Sequence, residues 1–124
     1  MPNPAPGFRK APRSRIATRP AGRRILVTLG GTVLADSRDA LEMREGTYPP
    51  VYYLPRKDVR MERLERSAHS THCPYKGDAA YYSAVNGPQN VAWSYERPYD
   101  EMLEIRDLLA FYPQRVDAIV VSND

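Results

Sequence analysis

Past residue 23 the chain is a succession of short apolar stretches separated by turn residues, and within most stretches the apolar positions recur every two residues. Arg24-Ile25-Leu26-Val27-Thr28-Leu29, then Gly30-Gly31, then Thr32-Val33-Leu34-Ala35 predicts a β-hairpin, because two glycines supply the positive φ that a tight primed turn requires. Leu41-Glu42-Met43-Arg44-Glu45 alternates apolar and polar, Gly46 to Pro50 reads as a turn, and Val51-Tyr52-Tyr53-Leu54 has the aromatic and β-branched make-up of a half-buried strand, stopped by Pro55. Lys57 to Arg60 suits one helical turn, and Met61 to Glu65 alternates by two again. Ala80 to Val85 and Val91 to Tyr95 flank Asn86-Gly87-Pro88-Gln89-Asn90, which suits a longer hairpin loop.

One segment satisfies two periods. Met102, Leu103, Ile105, Leu108 and Leu109 make a helical apolar face after Asp100 as N-cap, while Leu103, Ile105, Leu109 and Phe111 also fit a period of two. The expectation for residues 99 to 112 is a short helix followed by a strand. Pro113 ends it, and Val116 to Val121 predicts a last apolar strand. The fold class is therefore mainly β: a single compact domain over residues 23 to 124, made of short antiparallel strands with at most one short helix.

Length and composition narrow the picture. A chain of 124 residues buries one core and leaves no room for separate cofactor and substrate domains. Apolar runs such as Ala118-Ile119-Val120-Val121 are strand-length, so no membrane span is expected. With Cys73 alone an intrachain disulfide is excluded, and one Cys with two His is a poor set for a zinc site, so neither a metal nor another cofactor is expected. The net charge of +3 hides a split: Arg9, Lys10, Arg13, Arg15, Arg19, Arg23 and Arg24 meet no acid in the first 24 residues, whereas the remaining 100 carry 11 basic against 15 acidic side chains. Five of the 12 prolines also lie in the first 20 residues, and residues 1 to 22 read as a disordered basic arm. The arm lacks the apolar core of a secretory signal, so the expected location is the cytoplasm. A basic arm holds nucleic acid by counterion release, although a solvated extension is the commoner role of such a segment.

Several chemistries are disfavoured by motif. The chain has no GxGxxG, P-loop, GxSxG, HExxH or CxxC, and no Asp-x-Asp of the kind that clamps metal ions in nucleotidyl transfer. What remains is the dense polar cluster His69-Ser70-Thr71-His72-Cys73-Pro74-Tyr75-Lys76-Gly77-Asp78, expected to be a loop because Pro74 and Gly77 break it. A thiol beside His72 and near Lys76 is in an electropositive setting that favours thiolate, and His72 has the pKa range of a general base. Adjacent residues on an extended chain point to opposite faces, and a lone cysteine is more often a small buried hydrophobe. Cys73, His72 and Lys76 are the candidate catalytic residues. Arg56, Thr71, Tyr75, Trp93 and Tyr95 are the candidate ligand contacts, the cation for a carboxylate or phosphate and the aromatic rings, with Tyr81 and Tyr82, for pocket walls.

The motif Thr71-His72-Cys73-Pro74-Tyr75-Lys76-Gly77 follows Val51-Tyr52-Tyr53-Leu54-Pro55-Arg56-Lys57-Asp58-Val59 and precedes Ala92-Trp93-Ser94-Tyr95 and Ala110-Phe111-Tyr112-Pro113. In order and spacing it resembles the bacterial and fungal domain of unknown function 427 family, from about Arg24 to Ala118. The resemblance implies a compact Mss4-like or β-tent fold, similar to the methionine sulfoxide reductase B proteins. The paired CxxC zinc motifs of that wider fold are missing, and so is the carboxylate pair that a nucleotidyltransferase label attached to some members would require. The function expected is binding of a small anionic metabolite in a polar, aromatic pocket around residues 71 to 77, with acid-base or thiol chemistry left open. The alternative is a structural or interaction module whose arm contacts nucleic acid. Oligomeric state is not legible in the sequence.

Overall fold

The computed structural model describes residues 2–7 and 16–123. Among the described residues ten strands form three antiparallel sheets. In the first, β4 (Leu41–Glu45) lies between β1 (Ile16–Pro20) and β5 (Val51–Tyr53). In the second, β2 (Arg24–Leu29) lies between β3 (Thr32–Ser37) and β10 (Ala118–Ser122). The third runs β6 (Leu64–Cys73), β7 (Gly77–Ala84), β8 (Ala92–Ser94) and β9 (Leu109–Phe111). Among the described residues no helix is long and apolar enough to cross a membrane.

Local chemistry sets the hairpins. Gly30 and Gly31 take φ of +60° and +77°, as the expected primed turn demands, and Leu29 pairs with Thr32 across it. The segment expected as helix then strand is a 3-10 stretch, Asp100–Ile105, followed by β9; Tyr99 holds the cap position in place of Asp100, and no side chain caps it. Met61–Arg63 is a 3-10 turn, so the strand expected from Met61 begins at Leu64.

The run Ala79-Ala80-Tyr81-Tyr82-Ser83-Ala84 is buried throughout because β7 has a core on each face. Tyr82, Ala84, Ala92, Leu109 and Phe111 pack with Ile25, Val27 and Leu34 of the second sheet. Ala79, Tyr81 and Ala110 pack with Met43 and Tyr53 of the first sheet and with Met102 and Ile105. Leu54 and Leu109 exchange backbone hydrogen bonds of 2.7 and 2.8 Å, joining the end of β5 to β9.

Two expectations need correcting. The polar cluster is not a loop: Thr71, His72 and Cys73 end β6, Gly77 and Asp78 open β7, and only Pro74-Tyr75-Lys76 turns. The breakers sit at and beside the turn, where the ladder tolerates them, and Cys73 pairs directly with Gly77. The β structure also begins before Arg23, because Ile16–Pro20 pairs with Leu41–Glu45. Composition missed this strand, whose residues are exposed or half-buried and form a strand on the edge that β4 presents. Residues 2–7 likewise lie against the domain: the Asn3 N–H donates to Asp100 Oδ2 (2.7 Å), the Ala5 N–H to Glu101 Oε1 (2.9 Å) and the Gly7 N–H to the Pro74 carbonyl (2.8 Å). The rest of the expected disordered arm, with Arg9, Lys10, Arg13 and Arg15, lies outside the described residues.

Candidate functional site

The β6–β7 turn delivers Lys76 to the edge of the second core. Its side chain is only 12% exposed, and Nζ donates to Glu45 Oε1 at the end of β4, 2.8 Å away. Lys76 and Glu45 both line an open cleft of about 600 Å³. Tyr53, Tyr81, Trp93, Tyr95 and Tyr112 line it, with Tyr48, Pro49 and Pro50 at the rim.

Period-two alternation explains the walls. Tyr81 pairs with Trp93, and Trp93 with Ala110, so these side chains share one face of the third sheet; Tyr112 follows β9 onto the same side. Trp93 Nε1 donates to Tyr53 Oη (3.3 Å), Tyr112 Oη donates to Tyr81 Oη (3.2 Å), and the hydroxyls of Thr71 and Tyr81 are bonded at 2.9 Å. The Trp93 and Tyr112 ring centroids are 4.4 Å apart. Tyr95 differs: it is 7% exposed and lines the cleft, and no hydrogen-bond partner reaches its hydroxyl among the described residues.

Burial is the main cause that raises the phenol pKa values of Tyr53 and Tyr95. Burial and then the hydrogen bond with Tyr81 push Tyr112 up to about 12. These three groups therefore stay neutral near pH 7 and offer hydrogen bonds, not bases, to anything in the cleft.

The predicted site residues separate into groups. Lys76, Trp93 and Tyr95 meet in the cleft, and Thr71 supports it through Tyr81. Cys73 is half-buried against the second core rather than in the cleft wall. His72 points to the opposite face of β6, where Nδ1 lies 2.8 Å from Asp78 Oδ1, so the structure does not bring it to the thiol. The Tyr75 ring lies under Gly7, where an added Cβ would come within 2.7 Å of it. Sequence reasoning missed Glu45, Tyr53 and Tyr112 as wall residues. The two tyrosines stand inside stretches that carry the family resemblance, whereas Glu45 has no local signal.

Arg56 serves another place. Its Nε donates to the Asp107 carbonyl (2.7 Å), its Nη2 to Glu96 Oε2 (3.1 Å), and its guanidinium lies over the Tyr82 ring on the far face of β7. Glu96 also accepts from Tyr82 Oη at 2.5 Å and pairs with Arg66 at 2.9 Å. Burial pushes the Glu96 carboxyl up, but the hydrogen bonds from Tyr82 and Arg56 and the nearby charges of Arg66 and Arg56 outweigh it and hold the group below the usual carboxylate range. A depressed folded pKa gives stability that is complete above the unfolded value of about 4.3 and is lost as pH falls through the folded value. Glu96→Gln is therefore expected to lower stability at pH 7 by about 1 kcal/mol and to flatten its loss between pH 5 and 3, read by urea melts. An unchanged acid limb would show that Glu96 does not carry it.

Among the described residues no three His, Cys, Asp or Glu side chains are placed to hold a metal ion. Of the basic residues in the first 24, Arg19 pairs with Glu42 (2.9 Å) and Arg24 with Asp36 (2.7 Å).

Fold and cleft together define a small, mainly β protein with an aromatic-walled hollow lined by the half-buried Lys76–Glu45 ion pair. The chain belongs to the family described as domain of unknown function (DUF427), whose family model matches residues 17–122. No curated protein matches it.

Proposed function

We propose that the cleft binds a small anionic metabolite, held by the Lys76 ammonium and the phenol hydroxyls. The observation that carries this is that the nearly buried Lys76 lines the same hollow as Tyr95, whose hydroxyl has no hydrogen-bond partner among the described residues. Glu45 occupies one of the three ammonium donors, leaving two for a ligand oxygen. The five aromatic walls supply flat apolar area beside these donors, the usual make-up of a small-molecule pocket. Since His72 faces away and Cys73 sits behind the wall, binding is better supported than thiol chemistry. The Mss4-like kinship and a cytoplasmic location belong to the same proposal, the first supported by the three short antiparallel sheets.

The sign of two substitutions tests the charge of the ligand. Trp93 is the single tryptophan and lines the cleft, so its fluorescence reports occupancy. With benzoate as probe, Lys76→Met is expected to weaken binding about tenfold, the loss of one charge-assisted hydrogen bond of about 1.5 kcal/mol. Glu45→Gln is expected to strengthen it a few-fold, because a competing carboxylate is removed. Opposite signs, with benzyl ammonium preferred over benzoate, would mean a cation site and overturn the reading.

A further inference from the structure

Next to the aromatic cleft lies a second hollow of about 220 Å³, lined by Val27, Leu54, Phe111, Ile119 and Val121 together with the Tyr52 ring. Among the described residues no charged side chain lines it. By itself it falls below the range of about 300–1,000 Å³ in which ligand pockets are found, whereas the cleft of about 600 Å³ lies inside that range. The two are contiguous: Pro50, Val51, Trp93 and Pro113 belong to the walls of both. The shared wall contains no cation or carboxylate, so an apolar chain crosses it without stripping water from a charge. The two hollows thus differ in polarity: the cleft carries Lys76 and Glu45, and the adjoining hollow is lined by apolar residues of β2, β9 and β10.

We propose that the two hollows are one bipartite site and that its ligand is an amphipathic carboxylate, with its head group at Lys76 and Tyr95 and an unbranched alkyl tail crossing the Trp93 wall into the apolar hollow. This deepens the reading of the cleft as an anion site and rests on it. The occupant follows from complementarity at both ends: a cation with hydroxyl donors for the carboxylate, and aliphatic and aromatic side chains for the tail. Trp93 stands where both parts of the ligand touch it.

The test is a chain-length series of straight alkanoates from four to twelve carbons, kept below their micelle concentrations and followed by Trp93 fluorescence, with alkyl ammonium ions of the same lengths as controls. Affinity should rise roughly fourfold per buried methylene and level off once the hollow is full. The alkyl ammonium ions should bind at least tenfold more weakly. Ile119→Phe, which narrows the hollow without adding a second tryptophan, should make the affinity level off at a shorter chain length. The series on the wild-type protein decides the matter even if that variant does not fold. A flat series with Lys76-dependent butanoate binding overturns the bipartite site and leaves the anion cleft standing. Equal binding of acids and ammonium ions overturns the assignment of the head group, and no binding of any acid overturns both.

Discussion

Leu109→Ala is expected to lower the unfolding free energy by about 2–5 kcal/mol, the range for truncating a buried Leu where the surroundings relax only partly. Leu109 has no exposed surface, and its side chain belongs to the core between the second and third sheets. Its backbone pairs with Ser94 on one side and with Leu54 on the other, so β9 is the seam between the third sheet and the end of β5. Those backbone bonds hold the position in place and limit how far the site can close over the lost methyl groups. Against a total stability of about 5–15 kcal/mol for a small domain, such a loss is large. It corresponds to a fall in melting temperature of about 8–20 °C, at roughly 4 °C per kcal/mol for a domain of this size. A melt within 2 °C of wild type would show that the core is not assembled around this residue.

Gly77→Val is expected to cost about as much by a different route, and to disturb the site as well. Gly77 opens β7 at φ +117°, in the region open to glycine and costly to a β-branched residue. An added Cβ would lie 3.2 Å from the Arg97 carbonyl oxygen and 3.4 Å from Pro98 Cα, both backbone atoms that cannot rotate aside. Backbone strain of about 1–3 kcal/mol and overpacking of about 1–3 kcal/mol together predict a loss of about 2–6 kcal/mol. Because Lys76 is the preceding residue, and its carbonyl accepts from the Tyr99 N–H at 3.0 Å, relief of the strain moves the ammonium from Glu45. Gly77→Ala, with one methyl group and no branch, should fall between wild type and Gly77→Val in thermal melts. If both variants melt like wild type, the turn is not held as described, and Lys76 would not be positioned by it.

The two positions show which parts of the molecule were legible beforehand. The Gly30-Gly31 hairpin was readable because its cause lies in two adjacent residues, and the helix-then-strand expectation held in kind because Pro98 and Pro113 bracket it. Thr71 to Cys73 was misread as loop because Pro74 and Gly77 announce a turn without showing how tight it is. Only the pairing of Cys73 with Gly77 decided that strand continues to its edge. Once these residues are strand, the opposite facing of His72 and Cys73 follows from the period of two. Of the site, Lys76, Trp93 and Tyr95 were named in advance, while Glu45 is 31 residues from Lys76 and was not. Arg56 looked like a ligand cation and instead clamps Glu96, Tyr82 and the Asp107 carbonyl.

By itself the sequence determined the family, the mainly β character, most strand positions and the turns between them. Each rests on preferences that act within a few residues: turn glycines, proline stops, and the alternation that makes a stretch suit a half-buried strand. The tertiary structure alone decided the division into three sheets, the recruitment of Ile16–Pro20 to β4, the partner of each ion pair and the side chains that meet across the cleft. Loop-closure entropy grows only slowly with the length of the loop, so a strand or a charge finds its partner at almost any separation. Local pattern therefore leaves that choice open, and packing makes it.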